Sequence, residues 1–216
     1  MDYAIRNAFF TFIQVCYTQL MLKEKLKHHH IILASQSPRR QAFFKDLDVA
    51  FEIRLKPVEE EYPARLTHFE ISNYLAQLKA LPFKNELQPN DILITSDTIV
   101  WHQDKALGKP RNEDEAFSIL KSLSNATHEV ITSVCFTTPQ YEKTLHDITK
   151  VTFKRLTDEE IEYYISTCEP FDKAGAYGIQ DWIGQIGVTK IEGSYFNVMG
   201  LPVHLVYKTL NTIADL

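Results

Sequence analysis

The sequence predicts an α/β protein built on a mixed β-sheet, and three observations carry that prediction. Strand-like and helix-like patterns alternate along the chain. Several strand patterns follow one another in hairpin order, which favours a mixed sheet over a doubly wound parallel one. A short apolar run, Ile31, Ile32 and Leu33, passes almost directly into a capped helix start at Ser37-Pro38. With 216 residues and 44% hydrophobic content, the chain can bury a proper core as one domain, or as one domain with two lobes.

Each element follows from local pattern. Ser37 stands at an N-cap position with Pro38 at the first helical position, where its fixed φ suits a helix and its missing N–H costs nothing, and the helix should run to about Leu47. Residues 50–55 alternate like a strand, and a charged loop with Glu59, Glu60 and Glu61 follows. Thr67-x-x-Glu70 reads as a capping box opening a helix whose apolar face carries Ile71, Leu75 and Leu78, with Lys79 near its end. Residues 92–101 read as a central strand with Asp97 in its middle, and residues 105–107 as its hairpin partner. Asn112-x-x-Glu115 opens a helix with Ala116, Leu120 and Leu123 on one face, and β-rich runs follow at 129–137 and 144–153. Thr157-x-x-Glu160 caps a helix whose stripe Ile161, Tyr164, Ile165 and Cys168 belongs in the core. A glycine-containing loop at 172–180, a strand near 187–191 and a last helix after Pro202 complete the chain.

The N-terminus stands apart. Residues 8–22 are apolar enough to suggest a signal peptide or anchor, but Thr11, Gln14, Thr18 and Gln19 interrupt them. The run falls short of the roughly 18 apolar residues of a spanning helix, and Asp2 precedes it with no small-residue cleavage site behind. The expectation is a cytoplasmic protein with no membrane partner, in which residues 1–26 are an extension outside the native fold and residues 27–216 a single domain. Whether translation starts at Met1 or Met21 stays open. His28, His29 and His30 read as a solvated lead-in to the first strand rather than a metal site.

Charge and cysteines narrow the function classes. A net charge of −5 argues against non-specific nucleic-acid binding. Cys16, Cys135 and Cys168 are odd in number and widely spaced with no Cys-x-x-Cys pair, which argues against a disulfide framework and a structural zinc site.

Two places carry chemistry. At the turn reading Ser35-Gln36-Ser37-Pro38-Arg39-Arg40, the free amides of the first helical turn and the helix dipole favour an anion, and two guanidinium forks match phosphate oxygens. On these residues alone, a capped helix with two solvated arginines accounts for the pattern equally well. Asp97, flanked by Ile94, Thr95, Ile99 and Val100, is costly to desolvate unless a cation, hydrogen bonds or a reaction compensates. The position two residues on is Ile99 and not a second Asp, which counts against a phospho-aspartyl mechanism.

Ser-x-Ser-Pro-Arg-Arg at a strand-to-helix turn resembles the opening signature of the Maf family of nucleoside triphosphate pyrophosphatases. The resemblance continues in order through Glu59-Glu60, Lys79 in LAQLKA, SDTIV at 96–100, LGKPR at 107–111, DKAGAYGIQ at 172–180 and GSYFNVMGLP at 193–202, covering the chain from about Ile31 to Leu210. The resemblance implies an elongated α/β fold with a central mixed sheet and a cleft between two lobes. It implies Asp97, Glu60 and Lys79 as catalytic residues, with Asp97 either the proton acceptor for the attacking water or mainly a metal ligand. Ser35, Ser37, Arg39, Arg40, Thr98, Lys109 and Gln180 are the implied substrate-binding residues, Arg39 carrying more of the phosphate than Arg40.

The implied cofactor is a divalent cation, Mg or Mn, held by Glu60 and Asp97, and the implied partner is a nucleoside triphosphate, with a homodimer left open. Cleavage between the α and β phosphates needs charge neutralisation and an oriented water more than covalent work by the protein. The run Gly178–Gln180, with Arg39 and Thr98, resembles the group hydrolysing dTTP and UTP, with modified pyrimidines as further candidates. An amide at Gln180 could accept from pyrimidine N3–H while donating to O4. A 7-methyl-GTP pyrophosphatase and a nucleotide-binding inhibitor of cell division are the alternatives.

Overall fold

A computed structural model describes residues 22–215. Seven strands form one sheet: β1 (His30–Leu33), β2 (Glu52–Ile53), β3 (Asp91–His102), β4 (Lys105–Leu107), β5 (Thr127–Thr137), β6 (Glu142–Phe153) and β7 (Val188–Glu192). Their order is β2-β1-β3-β5-β6-β7, with β4 paired to β3. β1 runs parallel to both β2 and β3, and the other pairings are antiparallel, so the sheet is mixed as expected.

The principal helices are α1 (Pro38–Asp46), α2 (Phe69–Ala80), α3 (Glu113–Leu123), α4 (Asp158–Cys168), α5 (Trp182–Gly187), α6 (Tyr195–Val198) and α7 (Val203–Ile213). Local signals placed most of their starts. Ser37 caps α1 by accepting from Arg40 N–H, Asn112 caps α3 by accepting from Glu115 N–H, and Thr157 with Glu160 forms a complete capping box on α4.

Strand β3 organises the core because successive side chains leave it on opposite faces. Leu93 packs on one face with Ala76, Ala80 and Phe83, while Ile99 joins Ile71 and Leu75 on that same α2-covered side. On the opposite face the sheet divides between two cores. One gathers Ile31, Ile94, Phe44 and Val206 around α1 and α7; the other gathers Val100, Leu120, Tyr164 and Ile183 around α3, α4 and α5, and Met199 touches both. These two cores are the two lobes.

Three expectations need correction. The strand expected over 50–55 is two residues at the sheet edge, both exposed, with no covering element among the described residues. The Thr67 capping box is only half made. The Glu70 carboxylate accepts from Thr67 N–H at 3.0 Å and from its hydroxyl at 3.3 Å, and α2 starts at Phe69 after His68 at φ 51°. The boundary at residue 26 is set too late: Leu22 and Leu26 are buried in the α1/α7 core, with residues 22–25 helical. The apolar stretch at 8–21 and Cys16 lie outside the described residues. Cys135 and Cys168 are both free thiols. Among the described residues, no helix is long and apolar enough to cross a membrane.

Candidate active site

The β1-to-α1 turn, the centre of β3, the end of α2 and the loops at 107–109 and 172–177 enclose a cleft of two adjoining cavities, about 340 and 660 Å³. One wall, containing Arg39, Lys79, Lys109, Glu60 and Asp172, serves both cavities. The larger cavity runs past Ser35, Ser37 and Lys56, a polar surface suited to phosphate. The smaller runs to apolar walls that include Leu75, Val130, Tyr177 and Met199. Polar and apolar halves meeting at a cationic wall match the two halves of a nucleotide.

Asp97 sits at this wall because strand alternation sends it to the same face as Leu93 and Ile99, under α2. Lys79 meets it because residues 71, 75 and 79 fall four apart on α2, so the lysine extends the stripe that packs on β3. Lys79 Nζ lies 2.6 Å from Asp97 Oδ1 and 3.1 Å from Glu60 Oε2. Asp97 is only 6% exposed. Burial pushes its carboxyl above the ordinary carboxylate range, with Lys79 and Arg40 pulling it back only in part.

Among the described residues, no three of His, Cys, Asp and Glu are arranged around a metal position. The two carboxylates nevertheless fit a hard divalent cation. They converge on one cation already, the Lys79 ammonium, and Mg or Mn binds through one or two carboxylates while keeping positions for water and phosphate oxygens.

The turn before α1 has the expected N-cap, and Arg40 N–H, taken by Ser37 Oγ, is not among the free amides there. Ser37 N–H donates to Ser35 Oγ at 3.2 Å, and Arg39 and Lys109 line both cavities without an ion pair or hydrogen bond to a described residue. Their charges are therefore available to a ligand. Arg40 differs from Arg39. Its guanidinium points inward and donates to Gly200 O at 2.8 Å, Ser96 O at 3.0 Å and Thr98 Oγ1 at 3.1 Å. Arg40 thus fastens the anion turn to the middle of β3 and to the loop before α7, and it holds Thr98, which also bonds Thr132 Oγ1 at 3.0 Å.

Of the sequence-predicted residues, Ser35, Ser37, Arg39, Arg40, Glu60, Lys79, Asp97, Thr98 and Lys109 come together at this cleft. Gln180 does not. It is exposed on the turn before Asp181, its carbonyl accepts from the Gln185 amide at 3.1 Å, and it lines neither cavity. The loop carrying it lines the cleft at Asp172, Lys173, Ala174 and Tyr177, and beyond these Tyr164 O–H donates to Asp181 at 2.7 Å and accepts from Gly178 N–H at 3.1 Å. The cleft also contains Asp172, Lys173 and Tyr177, which residue-by-residue reading passed over. The signal for them was the DKAGAYGIQ run itself, whose glycine at 175 has φ 71° with no room for a Cβ beside Val100.

The fold and cleft define a class: α/β proteins whose cleft sets unpaired cations at a helix start beside two carboxylates that meet at a lysine. Within that class, residues 30–213 match the model of the Maf-like protein family, and the chain belongs to it. It is 66% identical over 193 residues to the dTTP/UTP pyrophosphatase of Flavobacterium johnsoniae, covering 89% of this chain and 100% of that protein. It is 57% identical over 195 residues to the dTTP/UTP pyrophosphatase of Christiangramia forsetii, covering 90% of this chain and 100% of that one. Among solved structures, the Staphylococcus aureus Ham1 protein is similar at a TM-score of 0.47 and 15% identity, over 85% of this chain and 99% of that one.

Proposed function

We propose that this protein is a nucleoside triphosphate pyrophosphatase that hydrolyses dTTP, UTP and modified pyrimidine nucleotides to the monophosphate and pyrophosphate, acting as a single domain. The observation that carries this reading is the meeting of Asp97 and Glu60 at Lys79 on the wall shared by a phosphate-suited and an apolar cavity. The choice of pyrimidines rests on the names of relatives up to 66% identical, since Gln180 lines neither cavity described above.

In this reading the phosphate chain lies over Ser37, Arg39 and Lys109, whose charges neutralise its oxygens before any bond changes. Asp97 takes a proton from a water as the water oxygen bonds the α-phosphorus. The bond from that phosphorus to the bridging oxygen breaks, and its electron pair leaves on pyrophosphate. The burial that raises the Asp97 carboxyl makes it a better base once ionised. Lys79 keeps Glu60 and Asp97 from repelling each other and offers positive charge as the leaving group develops. Asp97 and Glu60 would hold Mg or Mn, which would withdraw charge from the phosphate oxygens. Arg40 acts on the ligand only through the groups it holds in place.

The test is incubation of purified protein with a nucleotide panel and magnesium, separating monophosphate from diphosphate products. Thymidine and uridine monophosphate with pyrophosphate are expected, and chelation should stop the reaction. Release of orthophosphate, or hydrolysis of purine and pyrimidine triphosphates at equal rates, would overturn the proposal.

A further inference from the structure

Asp172 is a third carboxylate of the cleft beside Asp97 and Glu60, and the hydrolytic chemistry above does not use it. It lies on the wall common to both cavities, where the apolar half meets the phosphate half. Its place is fixed by the backbone on both sides. The 3₁₀ turn Pro170–Asp172 follows Glu169 at φ 42°, and Lys173 N–H closes that turn on Pro170 O at 3.2 Å. Downstream, Gly175 N–H donates to Gly108 O at 3.0 Å, tying the loop to the segment that carries Lys109. A Cβ at Gly175 would lie 2.6 Å from Val100 Cγ2, so the loop packs directly on the catalytic strand.

The side chain is oriented as well. The Lys173 side chain, only 13% exposed, donates from Nζ to Asp172 Oδ1 at 2.7 Å and lies 3.9 Å from Asp181, while the Asp172 side chain is 67% exposed. Lys173 and Arg39 together hold the Asp172 carboxyl below its ordinary value, against the opposing effect of partial burial. An ionised carboxylate only accepts hydrogen bonds. It therefore repels phosphate oxygens and pairs with the donors of a nucleotide, which are the base N–H groups and the sugar hydroxyls. The apolar walls that suit a base belong to the smaller cavity, and the polar surface suited to phosphate belongs to the larger one. The sugar spans the junction.

Resting on the nucleotide reading above, we infer that Asp172 is a further substrate-binding residue that accepts a hydrogen bond from the sugar 3′-hydroxyl of the substrate. Both dTTP and UTP carry that hydroxyl, so one carboxylate serves the two.

The experiment compares dTTP with 3′-deoxythymidine triphosphate, in the wild-type protein and in Asp172→Ala, by kcat/KM at fixed magnesium and across a magnesium titration. The wild type should prefer dTTP by about ten- to a hundredfold, the range of a lost hydrogen bond to a charged group. Asp172→Ala should remove most of that preference by lowering the rate on dTTP far more than on the 3′-deoxy substrate. Asp172→Asn, which keeps an acceptor oxygen, should retain part of it. Equal use of both substrates by the wild type would overturn the inference while leaving the pyrophosphatase reading intact. Equal losses on both substrates in Asp172→Ala, or a magnesium requirement shifted upward in that variant, would also overturn it. Absence of dTTP turnover in the wild type would instead refute the underlying reading.

Discussion

Replacing Asp97 with asparagine tests the chemistry most directly, because it keeps the shape of the side chain and removes both its charge and its basicity. Loss of a positioned general base lowers turnover by about two to four orders of magnitude. The sign of the accompanying stability change follows from the carboxyl's raised position. Between the ordinary carboxylate value and the folded one, the folded state binds more protons than the unfolded, so stability falls as pH rises through that window. Asparagine lifts that cost. It also takes away the Lys79 partner at 2.6 Å, but Lys79 keeps Glu60 at 3.1 Å. The two effects oppose, so the melting temperature should move by only about 4 °C or less, the shift that roughly 1 kcal/mol gives a chain of this size. Pyrophosphate release from dTTP measures the first effect, and calorimetry of the same sample the second. In the wild type, kcat/KM should rise with pH along an acid limb set by ionisation of Asp97. That limb should vanish from the residual activity of Asp97→Asn. A near wild-type rate in the variant, or an unchanged acid limb, would refute the assignment of Asp97 as base.

Arg39→Ala should raise KM for triphosphates by about tenfold or more with little change in melting temperature, because Arg39 faces the cleft and holds no described residue. Arg40→Ala should instead destabilise the protein by about 2 to 4 kcal/mol, since it strips donors from Gly200 O, Ser96 O and Thr98 Oγ1; thermal unfolding beside Michaelis kinetics separates the two cases. Gly175→Ala should cost about 2 to 4 kcal/mol, combining a φ of 71° with a Cβ placed 2.6 Å from Val100, and denaturant titration reads that loss. His128 is buried against Tyr177, its Nε2 2.8 Å from the Tyr177 oxygen, and burial depresses its pKa to about 3. The unfolded chain then binds the extra proton between about pH 6.5 and pH 3, so His128 makes stability fall with acidification, by up to about 1.4 kcal/mol per pH unit. His128→Gln should flatten that slope in melting curves taken from pH 7 to pH 4, and an unchanged slope would assign it to other groups.

Much of the site could be read along the chain because its determinants are short-range. A serine accepting the N–H three residues on, with a proline after it, starts α1 wherever the chain goes next. Alternation along β3 assigns Asp97 to the side of Leu93 and Ile99, and four-residue spacing puts Lys79 in line with Ile71 and Leu75. The capping box at Thr157 and the α4 core stripe were legible for the same reason. Tertiary structure decided what depends on distant partners. Arg39 and Arg40 are adjacent and chemically alike, yet one is free and the other is committed to Gly200, 160 residues away, a contact no local pattern encodes. Leu22 and Leu26 look like part of an extension until α1 and α7 supply the surface that buries them. Gln180 looks like a base reader in its run, yet it stands exposed and lines neither cavity. Capping and periodicity arise within a few residues of backbone, so the sequence by itself determines them. Which face of a helix or loop meets a ligand depends on packing between segments far apart in the chain, and that is settled only when the sheet closes the two lobes around the cleft.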